Sequence, residues 1–332
     1  MKPFRLSRRQ VAGFGLALSL RPALAQSKLT IAALFAGRID DAGFMESGYR
    51  GLVAARDQLG VAIRFTDQIA PQLPKLQEAL RALAQTAPDL VIAHGGQNNE
   101  AAKLAAAEFP QVRFVVTQGN VTGANLASYE VLQEQSAFLA GALAGLVTKS
   151  GVVAHMSGIR VPPGLKGRAA YANGVAHVNP TAKLLTNFSG NQDDVALAAR
   201  VASAMAEAGA DVMFTMLNAG RQGAIDIGRA RHVAQIGNVR DWVATDPDVF
   251  IGSAVADSGL AVFTAIDDLV QGRFKPGVLR SVGLEQPDAV RLVVAPSVNP
   301  AVAARIAALA ADIVAGRLVV STAWNGAEFT NP

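Results

Sequence analysis

Side chains able to grip or transform a ligand gather in six short polar loops of this sequence. The first, residues 37–48, carries Asp40, Asp41 and Phe44 beside the start of a helical period. Asp41 is placed to cap that helix. Phe44 is an aromatic in a Gly-rich loop and could stack on a flat ligand. The second loop, residues 94–99, joins His94 to two glycines and three amides. Its double glycine, Gly95 included, permits positive φ or close backbone approach, and Gln97 offers a paired donor and acceptor. His94 is expected to be a satisfied histidine at a strand end. Residues 117–120 add Gln118. In the second half, residues 157–166 contain Gly158, residues 217–223 contain Asn218, and residues 237–242 contain Asn238, Asp241 and Trp242. Trp242, in a polar loop, is a second stacking candidate.

These groups suit holding a ligand better than transforming one. No GxSxG elbow, P-loop, HExxH or Ser/His/Asp spacing is present. The four histidines (94, 155, 177 and 232) are scattered and form no local metal pair. Asp193-Asp194 and Asp267-Asp268 look like helix-end and surface charge, and the adjacent carboxylates Asp40 and Asp41 need not converge. No catalytic residue, metal site or cofactor is expected.

The elements that must position the loops alternate strand and helix from residue 28 onward. Strands are expected at 29–35, 61–65, 90–93 and 112–116, with helices at 45–59, 73–86 and 100–108. A second series begins after residues 125–129, with strands at 152–155, 183–188, 212–216, 233–236 and 249–253. Its helices are expected at 135–148, 167–178, 195–208, from about 222, at 259–271 and at 301–315. Repeated β-α-β units force parallel strands covered by helices on both faces. One sheet of so many strands would be unusually wide, so two doubly wound α/β lobes are expected. Ligands of such sheets collect at the C-terminal strand ends, where the six loops lie.

Composition narrows the class. The chain has 332 residues, 51% hydrophobic and 17% charged, which is too apolar for disorder. Its formal charge of +4 is owed to the first 25 residues, which hold five basic and no acidic side chains. Without them 25 basic residues face 26 acidic ones, which removes the case for a nucleic-acid partner. Residues 1–25 read as an export signal: a basic start, about ten apolar residues and a small-x-small end at Ala23-Leu24-Ala25. Ser7-Arg8-Arg9 is similar to the start of a twin-arginine signal. Cleavage near Ala25-Gln26 would deliver a periplasmic protein, and with no cysteine in the chain no lipid anchor is expected.

Residues 40–52, Asp-Asp-Ala-Gly-Phe-Met-Glu-Ser-Gly-Tyr-Arg-Gly-Leu, resemble the first-loop signature of the basic membrane protein (BMP) family, the purine-nucleoside-receptor-like substrate-binding proteins of ABC transporters. Residues 134–144, 149–158, 168–180, 209–214, 283–284 and 291–296 continue the resemblance over nearly all of the chain after the leader. It implies a type I periplasmic binding protein fold: two parallel-sheet lobes, joined by three crossovers, closing on a ligand. The division implied is 26–125 plus 255–283 for lobe 1 and 126–254 plus 284–332 for lobe 2. Phe44 would stack on a heterocyclic base, with carboxylates and a lysine holding base and ribose. This chain departs from that pattern. Met45 stands where Asn is usual, Gln118 and Asn238 where Asp is usual, and the lysine expected near residues 253–256 is missing. An amide-lined pocket suits a neutral nucleobase as well as a nucleoside. The expected function is a monomeric periplasmic receptor that delivers such a compound to an ABC permease in the inner membrane. A sensory receptor of the same fold and a secreted nucleoside hydrolase are the alternatives.

Overall fold

The structure, a computed structural model, describes residues 28–330. The expected export signal lies outside the described residues. The chain builds two six-stranded sheets. The first has the order β11-β5-β4-β3-β1-β2 and is parallel throughout. Its strands are β1 (Thr30–Phe35), β2 (Ala62–Thr66), β3 (Leu90–His94), β4 (Phe114–Thr117), β5 (Leu126–Val131) and β11 (Leu279–Val282). Helices α1 (Phe44–Leu59), α2 (Leu73–Ala84), α3 (Asn99–Glu108) and α8 (Ser258–Val270) cover it. The second sheet has the order β12-β10-β9-β8-β6-β7. It comprises β6 (Val152–Ser157), β7 (Lys183–Phe188), β8 (Val212–Met216), β9 (Ala234–Val239), β10 (Phe250–Ala256) and β12 (Val290–Val294), the last antiparallel at the edge. Its helices are α4 (Gln133–Val147), α5 (Pro162–Val178), α6 (Val195–Glu207), α7 (Arg221–Arg231) and α9 (Pro300–Val314).

Burial explains the sequence pattern. β3 and β4 are buried at every position, as central parallel strands with both faces covered must be, so they read as unbroken apolar runs. On α2 the stripe Leu76, Leu80, Leu83 recurs at helical spacing and faces the first core. α4 is apolar nearly all round and is almost wholly buried. It packs on α5 so closely that a Cβ on Gly141 would overlap the Tyr171 carbonyl oxygen, and one on Gly174 the Phe138 carbonyl oxygen.

The chain changes lobes three times: at Leu132 between β5 and α4, at Asp257 between β10 and α8, and over residues 283–289 between β11 and β12. The first lobe runs on to Val131, beyond the expected boundary at residue 125. Residues 126–131, expected at the start of lobe 2, form β5 inside the first sheet. They escaped recognition because β4 returns to its parallel neighbour β5 without a helix between them. Gln118 makes this possible. It takes φ +54°, and its side-chain amide accepts from Val131 N (2.6 Å) and donates to Val131 O (3.0 Å). β11 and β12 were not expected as strands; both are short sheet edges, and β11 is largely exposed. Among the described residues no helix is long and apolar enough to cross a membrane.

Candidate functional site

The C-terminal ends of the two sheets face each other across the crossovers, and the loops named above meet there. α1 starts at Phe44, with its N-terminus pointing at the second lobe. Asp41 caps it: the carboxylate accepts from Gly43 N (2.8 Å), Met45 N (3.1 Å) and Glu46 N (3.1 Å). The group is 1% exposed, and burial pushes its pKa up while the three N–H bonds oppose that. The Phe44 ring stacks on the His94 imidazole, with centroids 4.3 Å apart and planes at 22°. His94 Nε2 lies 3.0 Å from the Phe44 carbonyl oxygen and Nδ1 lies 2.7 Å from Thr117 Oγ1. A carbonyl only accepts, so Nε2 carries the proton and the threonine hydroxyl donates to Nδ1. Burial lowers the His94 pKa to about 4, which keeps the ring neutral. His94 is therefore the satisfied histidine anticipated from sequence.

The second lobe answers with the loop after β8. Asn218 Oδ1 accepts from Phe44 N at 3.3 Å, and Asn218 Nδ2 donates to Gln192 Oε1 at 3.2 Å. A Cβ on Gly43 would overlap the Asn218 side chain, so only glycine lets the lobes come this close. Gly158 is equally tight against Gln192. At the hinge, Ser47 Oγ donates to Asp257 Oδ1 (2.8 Å), and Lys166 lies 3.2 Å from Glu130 and 3.7 Å from Glu134.

Two cavities flank this central contact. One of about 450 Å³ lies between α1 and α8 of the first lobe and residues 239–241 of the second, and reaches Asp288 on the third crossover and Arg291 on β12. Leu260 and Phe263 supply its apolar wall, and Glu46, Arg50, Arg240 and Asp241 its charged one. The other, about 370 Å³, lies between residues 36–38 and 68–71 on one side and 190–193 and Asn218 on the other. Strained backbone borders the larger cavity: Ala42 and Val239 hold φ +53° and +71°. For a β-branched residue such as Val239 this is a true outlier, costing on the order of 1–3 kcal/mol, and such strain concentrates at functional sites.

The structure brings together some of the expected ligand contacts and removes others. Phe44 and Asn218 meet across the cleft, while Gly95, next to His94, takes φ +104° and lies against Gln97. Gln97 Nε2 reaches back to His94 O at 3.4 Å. Met45 points into the first core beside Gly37, not into the cleft. The Gln118 amide is committed to Val131. Asp241 lines the larger cavity, and its Oδ1 accepts from Ala244 N (3.1 Å) and Ser253 Oγ (3.3 Å). Trp242 is 6% exposed, donates Nε1–H to Asn238 O (2.9 Å) and stacks on Phe250 in the second core. It is no open platform for a ligand.

Arg221 went unremarked in the sequence. It opens α7, is 1% exposed, and lays its guanidinium 4.4 Å from the Trp242 ring centroid. Nη2 donates to Leu217 O and Asn238 Oδ1. Arg240 stands over the same indole at 4.2 Å. The sequence signal was an arginine inside a Gly-rich strand-end loop, masked by its place at a helix start.

A family model described as ABC transporter substrate-binding protein PnrA-like matches residues 28–322. The chain is 24% identical over 266 residues to Basic membrane protein A of Borreliella burgdorferi, covering 77% of each. It is 21% identical over 267 residues to a purine-binding protein of Brucella abortus, covering 80% of this chain and 75% of that one. In three dimensions it is similar to an ABC transporter solute-binding protein of Aeropyrum pernix, with a TM-score of 0.77 at 22% identity over 90% of this chain and 94% of the other.

Proposed function

Since the chain belongs to the PnrA-like family of ABC transporter substrate-binding proteins, we propose that it is a periplasmic receptor that closes, as a monomer, on a small planar heterocycle and hands it to an inner-membrane ABC permease. The ligand class is a purine nucleobase or nucleoside, as the purine-binding name of the Brucella abortus relative suggests. The observation that carries this reading is the bridge from Phe44 N to Asn218 Oδ1. It ties the start of α1 in one lobe to the β8 loop of the other, beside an aromatic ring, where a ligand between the lobes would touch both.

The chemistry supports closure rather than turnover. A ligand drives closure only through contacts it makes better in the closed state. Moving the balance from 1:99 to 99:1 takes about 5.5 kcal/mol of such preference. One aromatic stack of about 0.5–1.5 kcal/mol beyond its burial and several hydrogen bonds of about 1 kcal/mol net each supply most of it. Burial of the ligand's apolar faces adds the rest. A cavity of about 450 Å³ is within the range of small-molecule pockets. Calorimetric titration with adenine, hypoxanthine, xanthine, adenosine and inosine tests the reading. Saturable one-to-one binding of at least one is expected; heat from none of them, while sugars or amino acids bind, would overturn it.

A further inference from the structure

Among the buried polar groups of the cleft, the Arg221 guanidinium is the least satisfied. A guanidinium has five N–H donors. Two of them, on Nη2, reach Leu217 O and Asn238 Oδ1. Nε and Nη1, which carry the other three, are buried and have no hydrogen-bond partner. No carboxylate lies within ion-pair distance of Arg221 or of Arg240 among the described residues. Asp41, across the cleft, exerts only a longer-range pull and has its oxygens committed to the α1 backbone. Asn238 supplies an acceptor but no charge. The neighbouring Arg240 adds a second cation on the Trp242 ring, with its own Nε buried and unpartnered.

A cation taken out of water without a counter-charge is costly, and buried donors are nearly always paired. The placement of this one is specific. Its two acceptors belong to the loop after β8 and to the end of β9, at the edge of the second sheet that faces the first lobe. Asn218, three residues before it, makes the bridge to Phe44. Residues 239–241, next to Asn238, line the larger cavity and Asn218 the smaller, which puts this positive charge, held over an indole with donors to spare, just behind walls that a ligand between the lobes would touch. Burial and the nearby Arg240 lower the Arg221 pKa to about 9, which leaves it charged at neutral pH.

We propose that Arg221 is a specificity-determining residue that selects ligands carrying an anionic group, either a carboxylate on a planar ring or the deprotonated edge of an oxidised purine. The inference refines the ligand class of the function proposed above, and rests on that reading for the planar part alone. Competition calorimetry at neutral pH with urate, orotate, succinate, hypoxanthine and adenosine tests it. Urate or orotate is expected to bind at least tenfold more tightly than hypoxanthine or adenosine, and which of the two leads tells purine edge from carboxylate. Arg221→Gln should remove that preference and weaken the anion at least a hundredfold, while changing any neutral ligand less than threefold. Asn238→Asp, which places an internal counter-ion on the guanidinium, should weaken the anion as well and needs no loss of Arg221. If a neutral purine binds as tightly as urate and orotate, Arg221 does not select charge, although the receptor reading stands. If only succinate binds, in an Arg221-dependent way, anion selection stands and the planar-ligand reading falls. Binding of none of the five overturns the inference. Should Arg221→Gln fail to fold, which a thermal melt of the ligand-free variant would reveal, the wild-type order of affinities and Asn238→Asp decide the matter together: an anion preference that Asn238→Asp leaves unchanged would overturn the assignment to Arg221.

Discussion

His94 in the first lobe and His155 in the second are both fully buried on sheet strands, each with Nδ1 beside a threonine hydroxyl, Thr117 at 2.7 Å and Thr186 at 3.0 Å. Burial lowers their pKa values from 6.5 to about 4 and about 3. Both rings are thus neutral in the folded chain and take up a proton only when it unfolds. Below pH 6.5 the unfolded state binds more protons, so stability falls as pH drops toward 4, by about 1.4 kcal/mol per pH unit for each histidine. Urea unfolding across that range checks this, and His94→Gln with His155→Gln should flatten the slope. Phe44 begins α1 at the contact between the lobes, and its ring covers His94. Phe44→Ala is expected to weaken ligand binding about tenfold or more, by loss of stacking and apolar contact. Calorimetry would show it, and an unaltered dissociation constant would take the ring out of the site.

Helices give the lobes their rigidity. The α4–α5 pair touches backbone to backbone at Gly141 and Gly174, and α1 meets α8 in the same way at Gly51 and Gly259. This accounts physically for the stretches 134–144 and 168–180 standing out in the sequence: a small residue is needed at each close approach, within helices otherwise buried. Gly174→Ala would force the pair apart. The gain in helix propensity, about 1 kcal/mol, sets itself against overpacking of about 1–3 kcal/mol or more, and the carbonyl a new Cβ would meet belongs to backbone that cannot swing away. A net loss of stability is expected in urea unfolding, with ligand affinity preserved in the folded fraction. Gln118 makes the same point at a strand end. Its type suggested a ligand contact, and its neighbours turned the amide onto Val131 instead.

Three crossovers join the two lobes, and the contact between Phe44 and Asn218 ties the start of α1 in one to the loop after β8 in the other. Ligand at 100 times its dissociation constant should add about 2.7 kcal/mol to the unfolding free energy. It should also lower the radius of gyration measured by small-angle X-ray scattering; an unchanged scattering curve in the presence of a ligand that raises the melting temperature would argue against closure. The alternation of apolar runs with amphipathic segments was enough to determine two doubly wound α/β lobes, because burial on both faces of a parallel strand and on one stripe of a helix is written in local order. The stretch 126–131 and the edges β11 and β12 were not legible, since sheet membership there depends on partners far along the chain. The site divided along the same line. Asp41 as a cap follows from near neighbours in the chain, whereas His94 finds its partners in Thr117 and the Phe44 carbonyl, which only folding brings to it. Only the packed molecule decided that Met45 and Trp242 belong to cores and that Arg221 keeps three donors unspent. Residue type states what a side chain is able to bond, whereas tertiary packing decides which of those bonds are already taken.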